Sequence, residues 1–549
     1  MRLSKHDLFQ MDDEWLKKLP AELLLEVSKR LLHDVKALQD QLNKNPGNSS
    51  RPPSTKPPWE KARDPDVKKG VPAEAAAGAG DGAADGAADG AADGAGDGAA
   101  DGAAVTADGP APAKETAPPA TEECPLPGED SGKRPGKQVG SPGHGRTQKL
   151  AVTDSRAHRP EHCAACGGAL AEDAESQAYT AWDEIDIAPP VEGSIGLTFS
   201  VTRHTLLEVR CACGHVSRAR PWRAPPDAQW EKVELGEWRL VGPRLAGVIV
   251  LLALRMRLSR ASIRELLREV FDLTLSTGVI DETIREAGRA SFPLEDALVD
   301  DIVQVAQLHI DETSWPESGA LLWLWALVSP SSVLYLIGPR TREMLENALQ
   351  DGYTGILVSD GYAVYRNWEN RLRCWPHLMR KLRGLAESSD GRVSRVGQEM
   401  EGLLTALMAA IYAARLDPPP QALPERYAAE VERLRHLCEV HRTDQHPALR
   451  SVVREFLYDW KVILRPLAEP LLPLSNNAAE RALRHWVISR RISHGTRSEA
   501  GSRAFALLAS VIETCRRRGA SAWQYLGTVI AAARKGLQLP ALPAIPAAA

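Results

Sequence analysis

Four stretches decide the fold: Val305-Ala-Gln-Leu-His-Ile-Asp311, Ala320-Leu-Leu-Trp-Leu-Trp-Ala-Leu-Val328, Ser332-Val-Leu-Tyr-Leu-Ile337 and Gly355-Ile-Leu-Val-Ser-Asp360. Each is an apolar run of strand length, shorter than a buried helix needs. The runs at 304–310, 320–328 and 332–337 come first. A helical stretch from Thr341 to Gln350 follows, then a strand at 354–359, a short helix, and a strand at 371–375. The order β-β-β-α-β-α-β is that of a ribonuclease-H-like core, which sets its first and fourth strands side by side.

Two of these runs end in a carboxylate. Asp311 closes the first and Asp360 the fourth, while Glu480 opens the basic helical segment Glu-Arg-Ala-Leu-Arg-His-Trp486. A carboxylate at the end of a buried strand is costly unless something pairs with it, and divalent metal is a common partner. Two strand-end acids plus a helical Glu form a donor set for a pair of Mg²⁺ or Mn²⁺ ions. Such ions sit about 4 Å apart, one activating the attacking oxygen of a phosphoryl transfer and one stabilising the leaving oxygen. Hard oxygen ligands favour these cations over zinc.

Outward from the core, residues 296–383 read as its first part and 384–472 as a charged helical insertion broken by Pro418-Pro-Pro420, too long for a simple loop. Residues 473–549 carry the Glu480 helix and further helices. Upstream, 236–295 has helical periodicity: an apolar helix, a second from Ala261 to Phe271, and a third from Ser276 to Ala287 with Ser276 as N-cap. That spacing fits a helix-turn-helix, or equally a plain packing subdomain. Residues 156–235 hold Cys163-Ala-Ala-Cys166 and Cys211-Ala-Cys213-Gly-His215, two knuckles suited to a structural Zn²⁺. His215 or His162 could replace one thiolate as the fourth ligand. Residues 60–155 contain an Asp-Gly-Ala-Ala repeat that cannot build a core and reads as disordered linker. Residues 1–59 hold a helix with Leu24, Leu31 and Leu38 seven apart and Val35 and Leu42 alongside, followed by a proline-rich end. That pattern predicts a coiled coil, or an amphipathic helix packed on its own domain. The fold class is therefore multidomain α+β.

Composition agrees with a nucleic-acid enzyme once it is read locally. The net charge is −5 over 549 residues, but residues 472–519 hold nine Arg against three Glu, and 371–383 hold five Arg or Lys and no acid. Local stripes of charge decide nucleic-acid affinity. The first residues lack an apolar stretch of signal-peptide type, and the longest apolar segment is far too short to span a bilayer. With eight Cys, four in two tight pairs, the expectation is a cytoplasmic protein with reduced thiols and a metal site, without membrane contact.

Several runs together resemble the transposase of the insertion-sequence-66 family. They are His309-Ile-Asp-Glu-Thr-Ser-Trp315, Ser359-Asp-Gly-Tyr-Ala-Val-Tyr365, Cys374-Trp-Pro-His377 with Arg380-Lys381, and Asn476-Asn-Ala-Ala-Glu-Arg-Ala-Leu-Arg484. Gly501-Ser-Arg and Ser510-Val-Ile-Glu-Thr514 belong to the same likeness, as do the N-terminal leucine segment and the cysteine module. The resemblance implies that Asp311, Asp360 and Glu480 are a DDE catalytic triad. It also implies cleavage of the element's 3′ ends and strand transfer into target DNA, in a homo-oligomer acting on terminal inverted repeats with small helper proteins from the same element. Arg481, Arg484, Arg490 and Arg491 are the candidates for DNA phosphates, and Arg203, Arg210, Arg218 and Arg220 for contacts from the cysteine module. Cys374 and His377 have ligand-like spacing but read as packing beneath the site. Trp315, Trp323, Trp325 and Trp375 read as core, whereas Trp486 is a candidate to stack on an unpaired base. Ser475-Asn-Asn stands where the family has Asp-Asn-Asn, which predicts altered capping with catalysis retained. A DNA-binding protein that has lost catalysis and a structure-specific nuclease on the same fold are the competing classes.

Overall fold

A computed structural model describes residues 19–44, 48, 148–189, 193, 195–224, 233–349 and 353–546. Most of the 60–155 segment, with its repeat and Cys124, lies outside the described residues. Helix α1 (Ala21–Leu42) has no buried residue, and Leu24, Val35, Leu38 and Leu42 of the heptad seam are exposed. Its C-terminal turn is tethered through Asp40, which accepts from Ser388 Oγ at 2.6 Å and from Ser389 N at 2.7 Å.

The cysteine module is a four-stranded sheet of β1 (Asp154–His158), β2 (Ser176–Ile187), β3 (Phe199–Arg210) and β4 (Val216–Arg218), with β3 central. A small ribbon of β5 (Arg223–Ala224) and β6 (Leu235–Gly236) leads out of it. Helix α2 (Pro243–Leu254) starts with a proline whose missing N–H costs nothing at that position, and Asp186 accepts from Leu245 N at 2.8 Å. Gly242, just before it, has no room for a Cβ, which would lie 2.3 Å from Asp186.

Helices α3 (Arg260–Phe271) and α4 (Thr277–Ser291) match the predicted pair, each capped by the serine before it, Ser259 on Ser262 N and Ser276 on Val279 N. The second helix of this pair is packed against the rest of the fold. Nearly all of α4 from Thr283 onward is buried, and a Cβ at Gly288 would lie 2.6 Å from Ala504. Glu286 of α4 is itself buried in a two-bond pair with Arg534.

Helix α5 (Leu294–Val303) precedes a five-stranded sheet of β7 (Gln307–Glu317), β8 (Ala320–Val328), β9 (Val333–Gly338), β10 (Ile356–Ser359) and β11 (Arg371–Arg373). Helix α6 (Arg342–Leu349) lies between β9 and β10, and a 3-10 turn (Ala363–Asn367) between β10 and β11. The spatial order is β11-β10-β7-β8-β9; β7 pairs antiparallel with β8 and parallel with β10, so the first and fourth strands are neighbours. One expectation needs correcting. Asp311 does not end its strand: β7 runs on to Glu317, because β8 keeps pairing with it after the apolar run gives out.

Both edges of this sheet are closed, which removes rows of unpaired backbone groups. Next come α7 (Trp375–Ala386) and the insertion helices α8 (Gly391–Leu416), α9 (Leu423–Arg426), α10 (Ala428–Val440), α11 (Pro447–Tyr458) and α12 (Trp460–Ala468). They share a core that includes Trp375, Leu382, Met400, Leu404, Phe456 and Ile463. The insertion docks on β11 through charge: Arg371 and Arg373, both buried, donate to the two oxygens of Asp459, and Arg373 also donates to Glu455. Burial would push the Glu455 carboxyl up, but Lys381 and Arg373 together hold it below its usual range. At the far edge, helix α13 (Asn477–Ser493) is followed by α14 (Glu499–Arg517) and α15 (Ala522–Arg534). Ser510 and Thr514 of α14 accept from the β9 backbone, Tyr335 N at 2.8 Å and Val333 N at 3.1 Å.

Removing one partner of a buried ion pair leaves an uncompensated charge. Asp459→Ala is therefore expected to cost about 3–5 kcal/mol of unfolding free energy, read from denaturant midpoints. A loss under about 1 kcal/mol would show that the β11 edge is held by other contacts.

Candidate active site and cysteine cluster

Parallel pairing places the first two acids. Ile356, Leu357 and Val358 of β10 pair with Gln307, Leu308 and His309 of β7, so continuing that register sets Asp360 beside Asp311. Asp360 leaves the strand at once, its Oδ1 accepting from Tyr362 N at 2.8 Å. Asp311 is half-buried, and its Oδ1 accepts from Glu312 N at 3.0 Å. Burial, then the charges of Asp360 and Glu480, push the Asp311 carboxyl well above the ordinary aspartate range.

Glu480 comes from the first turn of α13, and that helix is fastened to β7 at several points. Asn476, fully buried before the first turn, donates from Nδ2 to Ile310 O at 2.6 Å, and its Oδ1 lies 3.2 Å from His309 Nδ1. Its backbone N donates to Cys374 Sγ at 3.3 Å. Further along, Arg490 Nη1 donates to Thr313 Oγ1 at 2.8 Å and Ser314 Oγ at 2.9 Å. Past the helix end, Thr496 N donates to Pro316 O at 3.0 Å. There Gly495 has φ +83°, and a Cβ would collide with the Pro316 carbonyl at 1.9 Å.

The Glu480 side chain faces α7. Its Oε1 lies 3.6 Å from His377 Nδ1 and 3.8 Å from Arg380 Nη2, neither close enough for a hydrogen bond. Cys374, His377 and Glu480 bring one donor atom each within 4.8 Å of one another, whereas Asp311, Asp360 and Glu480 do not close into such a group among the described residues. Burial, then the nearby Arg380, pulls the His377 imidazole down to about 4, so the ring is neutral at physiological pH. Cys374 is buried, and burial pushes its thiol up to about 12.

A fourth acid belongs to the same neighbourhood. Glu312 is buried and accepts from Arg340 Nη2 at 2.7 Å and from the Tyr365 hydroxyl. Burial, followed by Asp360 and Asp311, pushes its carboxyl well up. The Arg340 guanidinium lies over Tyr362 at 3.8 Å and over Trp323 at 4.3 Å, and Tyr362 in turn holds Asp360. Trp323 is thus half-exposed under a cation, while Trp315, Trp325 and Trp375 are core as expected. Sequence reasoning passed over Glu312, Arg340 and Tyr365. The run Asp311-Glu312 was the available signal, since two adjacent acids on a strand cannot both face water cheaply.

Trp486 is also a correction: it is fully buried, edge-on to Tyr335 and Phe505, so no base can stack on it. Arg481, Arg484 and Arg491 are exposed on α13, whereas Arg490 is turned to β7. In the module, Arg203 pairs with Asp183 at 2.8 Å and Arg218 with Glu208 at 2.8 Å, while Arg210 and Arg220 are exposed.

The two cysteine knuckles meet. The sulfurs of Cys163, Cys166, Cys211 and Cys213 all lie within 4.8 Å of one another, with Cys163 to Cys213 and Cys166 to Cys211 each at 3.7 Å. Neither His162 nor His215 is part of this cluster. Donation from the Cys166 N–H and then the Ala165 N–H brings the Cys163 thiol down to about 5, favouring the thiolate that binds metal.

Two proteins of Sinorhizobium fredii are similar to parts of the chain. The uncharacterized protein y4jO is 29% identical over 172 residues, 31% of this chain and 51% of its own length. The uncharacterized protein y4qI is 23% identical over 283 residues, 44% of this chain and 50% of its own length. The chain thus spans about half the length of either relative. The family model described as "Transposase IS66 family" matches residues 239–504, which run from the start of α2 through the core sheet, the insertion and the Glu480 helix. Over residues 239–504, then, the chain is similar to the IS66 family of transposases.

Proposed function

We propose that this protein is a DDE transposase that cuts the 3′ ends of its element and joins them to target DNA, on a ribonuclease-H-like core. The observation that supports the reading is the β7–β10 register, which if continued would set Asp360 beside Asp311, together with the push of Asp360 and Glu480 on the Asp311 carboxyl. The strand order, with β7 antiparallel to β8 and parallel to β10, supports the same core.

The residues present fit divalent cations. Asp311 is held in a protonation-prone state by burial and by its acidic neighbours, and a bound cation would reverse that penalty. Asp311, Asp360 and Glu480 would hold Mg²⁺ or Mn²⁺, whose chemistry is to activate an attacking oxygen and stabilise a leaving one. Glu480 would reach the aspartates by turning from His377, against which it has no hydrogen bond to break. Neutral His377 and the Arg380 guanidinium then limit where that carboxylate can go. Arg481 and Arg484, exposed on the same helix, are placed to bind phosphates that flank the scissile bond, and Arg491 extends that row. Water displaces the 3′ oxygen at the element's end, leaving a 3′-hydroxyl and a 5′-phosphate. That hydroxyl then attacks a target phosphodiester, and the displaced target 3′ oxygen takes the proton. Neither step needs a covalent bond to the protein.

The four-cysteine cluster fits Zn²⁺. Sulfurs about 2.3 Å from zinc in a tetrahedron stand about 3.8 Å apart, close to the distances between the paired sulfurs here. In this reading zinc ties the turn before β2 to the β3–β4 turn and holds the module's fold. The exposed leucines of α1 would pair with a second copy in a homo-oligomer on the element's two ends.

Three outcomes test this. With Mg²⁺ and labelled DNA from the element's termini, the chain should release 3′ ends and join them to a plasmid, and Asp360→Ala should lower both by about 10³-fold or more. Cutting without joining would mark a nuclease, and equal activity in the variant would remove the triad from the chemistry. Metal analysis should find one zinc per chain, falling toward none in Cys163→Ser; retention of full zinc would reject the four-cysteine site. The third is a stability measurement. Because the folded Asp311 binds its proton more tightly than an unfolded aspartate, its contribution is most favourable at low pH and is lost as pH rises past the unfolded value of about 4. Asp311→Asn should therefore raise the metal-free melting temperature at pH 7 while abolishing stabilisation by Mn²⁺. A variant that melts lower and still gains from Mn²⁺ would contradict the assignment.

A further inference from the structure

Away from the acids, one face of the cysteine-module sheet is turned to a cavity of about 480 Å³ whose far wall is α15 and the start of α2. Arg156 of β1, Trp182 and Glu184 of β2, and His204 of β3 lie on this face; His204 is the direct cross-strand partner of both Arg156 and Trp182. Their rings form a ladder. Trp238 stacks on Trp182 at 5.3 Å, Trp182 on His204 at 4.5 Å and His204 on His158 at 5.1 Å, all within 20° of parallel. Since the ring faces cover one another, a ligand in the cavity meets ring edges.

Two of those edges are unsatisfied. Trp182 Nε1 and His204 Nε2 are buried and have no hydrogen-bond partner among the described residues, and His204 as a whole is only 9% exposed. A buried polar group left alone costs about 1–3 kcal/mol, so two side by side on a cavity wall mark a place for a ligand with matching atoms. The two groups are not equivalent. The indole can only donate, whereas the other nitrogen of His204 lies 2.9 Å from His158 Nε2, so Nε2 donates or accepts according to tautomer. Burial, then His158 and Arg156, lowers the His204 pKa and keeps the ring neutral. Glu184 adds a carboxyl, pushed up by burial. Arg156, Arg244 and Lys535 supply positive charge at the same cavity.

Donors and acceptors on the edges of neighbouring stacked rings, with cations beside them, suit the edge of a nucleobase with its phosphate. The volume is that of a small-ligand site and suits one nucleotide, while a duplex is far too wide. We propose that this cavity takes a single unpaired nucleotide of DNA, its base edge on Trp182, His204 and Glu184 and its phosphate near Arg156, Arg244 and Lys535. The inference rests on the reading of the chain as a DNA-acting protein and goes beyond it, since it assigns the module a preference for an unpaired or extruded base.

The test uses the full chain and two duplexes of identical sequence, one fully paired and one with a single extrahelical thymine. The bulged duplex should bind about tenfold more tightly, the scale of one well-placed base contact. Trp182→Phe keeps the stacked ring but removes the donor, and should lose most of that gain while leaving affinity for the paired duplex unchanged. With 5-iodouracil at the bulge, photo-crosslinks should map to the peptides of Trp182 or Trp523. Equal affinity for the two duplexes, a gain that survives in the variant, or crosslinks confined to α13 would overturn the proposal and leave the transposase reading standing. Failure to bind either duplex would overturn both.

Discussion

Like charges forced together on a sheet surface are what the rest of this molecule is arranged around. Parallel strands β7 and β10 share a register that, continued, sets Asp360 beside Asp311, and Glu480 of α13 adds its charge to theirs. In a metal-free fold this is costly, because burial and mutual repulsion both favour the protonated acid. The structure tolerates it through rigidity elsewhere. Asn476 fastens the start of α13 to β7, Arg490 its last turns, and the backbone of Thr496 the segment beyond. Like charges kept close in a buried setting need a scaffold that does not relax around them.

The support reaches further than the acids themselves. Cys374 accepts the Asn476 N–H and donates its own backbone N–H to Ser359 O, so one residue joins the ends of α13, β10 and α7. On the other side, Tyr362 holds Asp360 while Arg340 bridges Tyr362, Trp323 and Glu312. The insertion enters through Asp459 and Glu455, whose partners Arg371 and Arg373 flank the strand beside β10. It therefore contributes to the site indirectly: a Cβ at Gly361, next to Asp360, would lie 2.6 Å from both Arg373 Nη2 and Glu455 Oε1. The loop after β10 is cast against that ion-pair network.

Much of this was legible from residues alone. Short apolar runs predicted the five strands and their order because strand burial imposes a composition that spacing reveals. Serine caps predicted where α4 begins, and paired cysteines predicted the cluster, since knuckle spacing is local chemistry. What failed did so for non-local reasons. Trp486 looked available because helix periodicity does not say which neighbours cover a face; Tyr335 and Phe505, remote in sequence, cover it. Asp311 looked like a strand end because the apolar run stops there, although β8 carries the pairing on. Arg340 and Tyr365 left no trace and Glu312 only its place next to Asp311, as their association exists only once β7, the β9–α6 turn and the segment after β10 meet.

By itself, then, the chain determined which residue types could act and on which elements they would ride: acids at the ends of apolar runs, a Glu at the head of a basic helix, four cysteines in two knuckles. Tertiary structure alone decided which of them meet. It turned Glu480 toward His377, buried most of α4 against α14 and α15, excluded both histidines from the sulfur cluster, and left a ladder of rings facing a cavity. The physical reason is that local sequence governs backbone preference and hydrophobic period, whereas proximity between charges, rings and unpaired donors is set by packing between segments hundreds of residues apart.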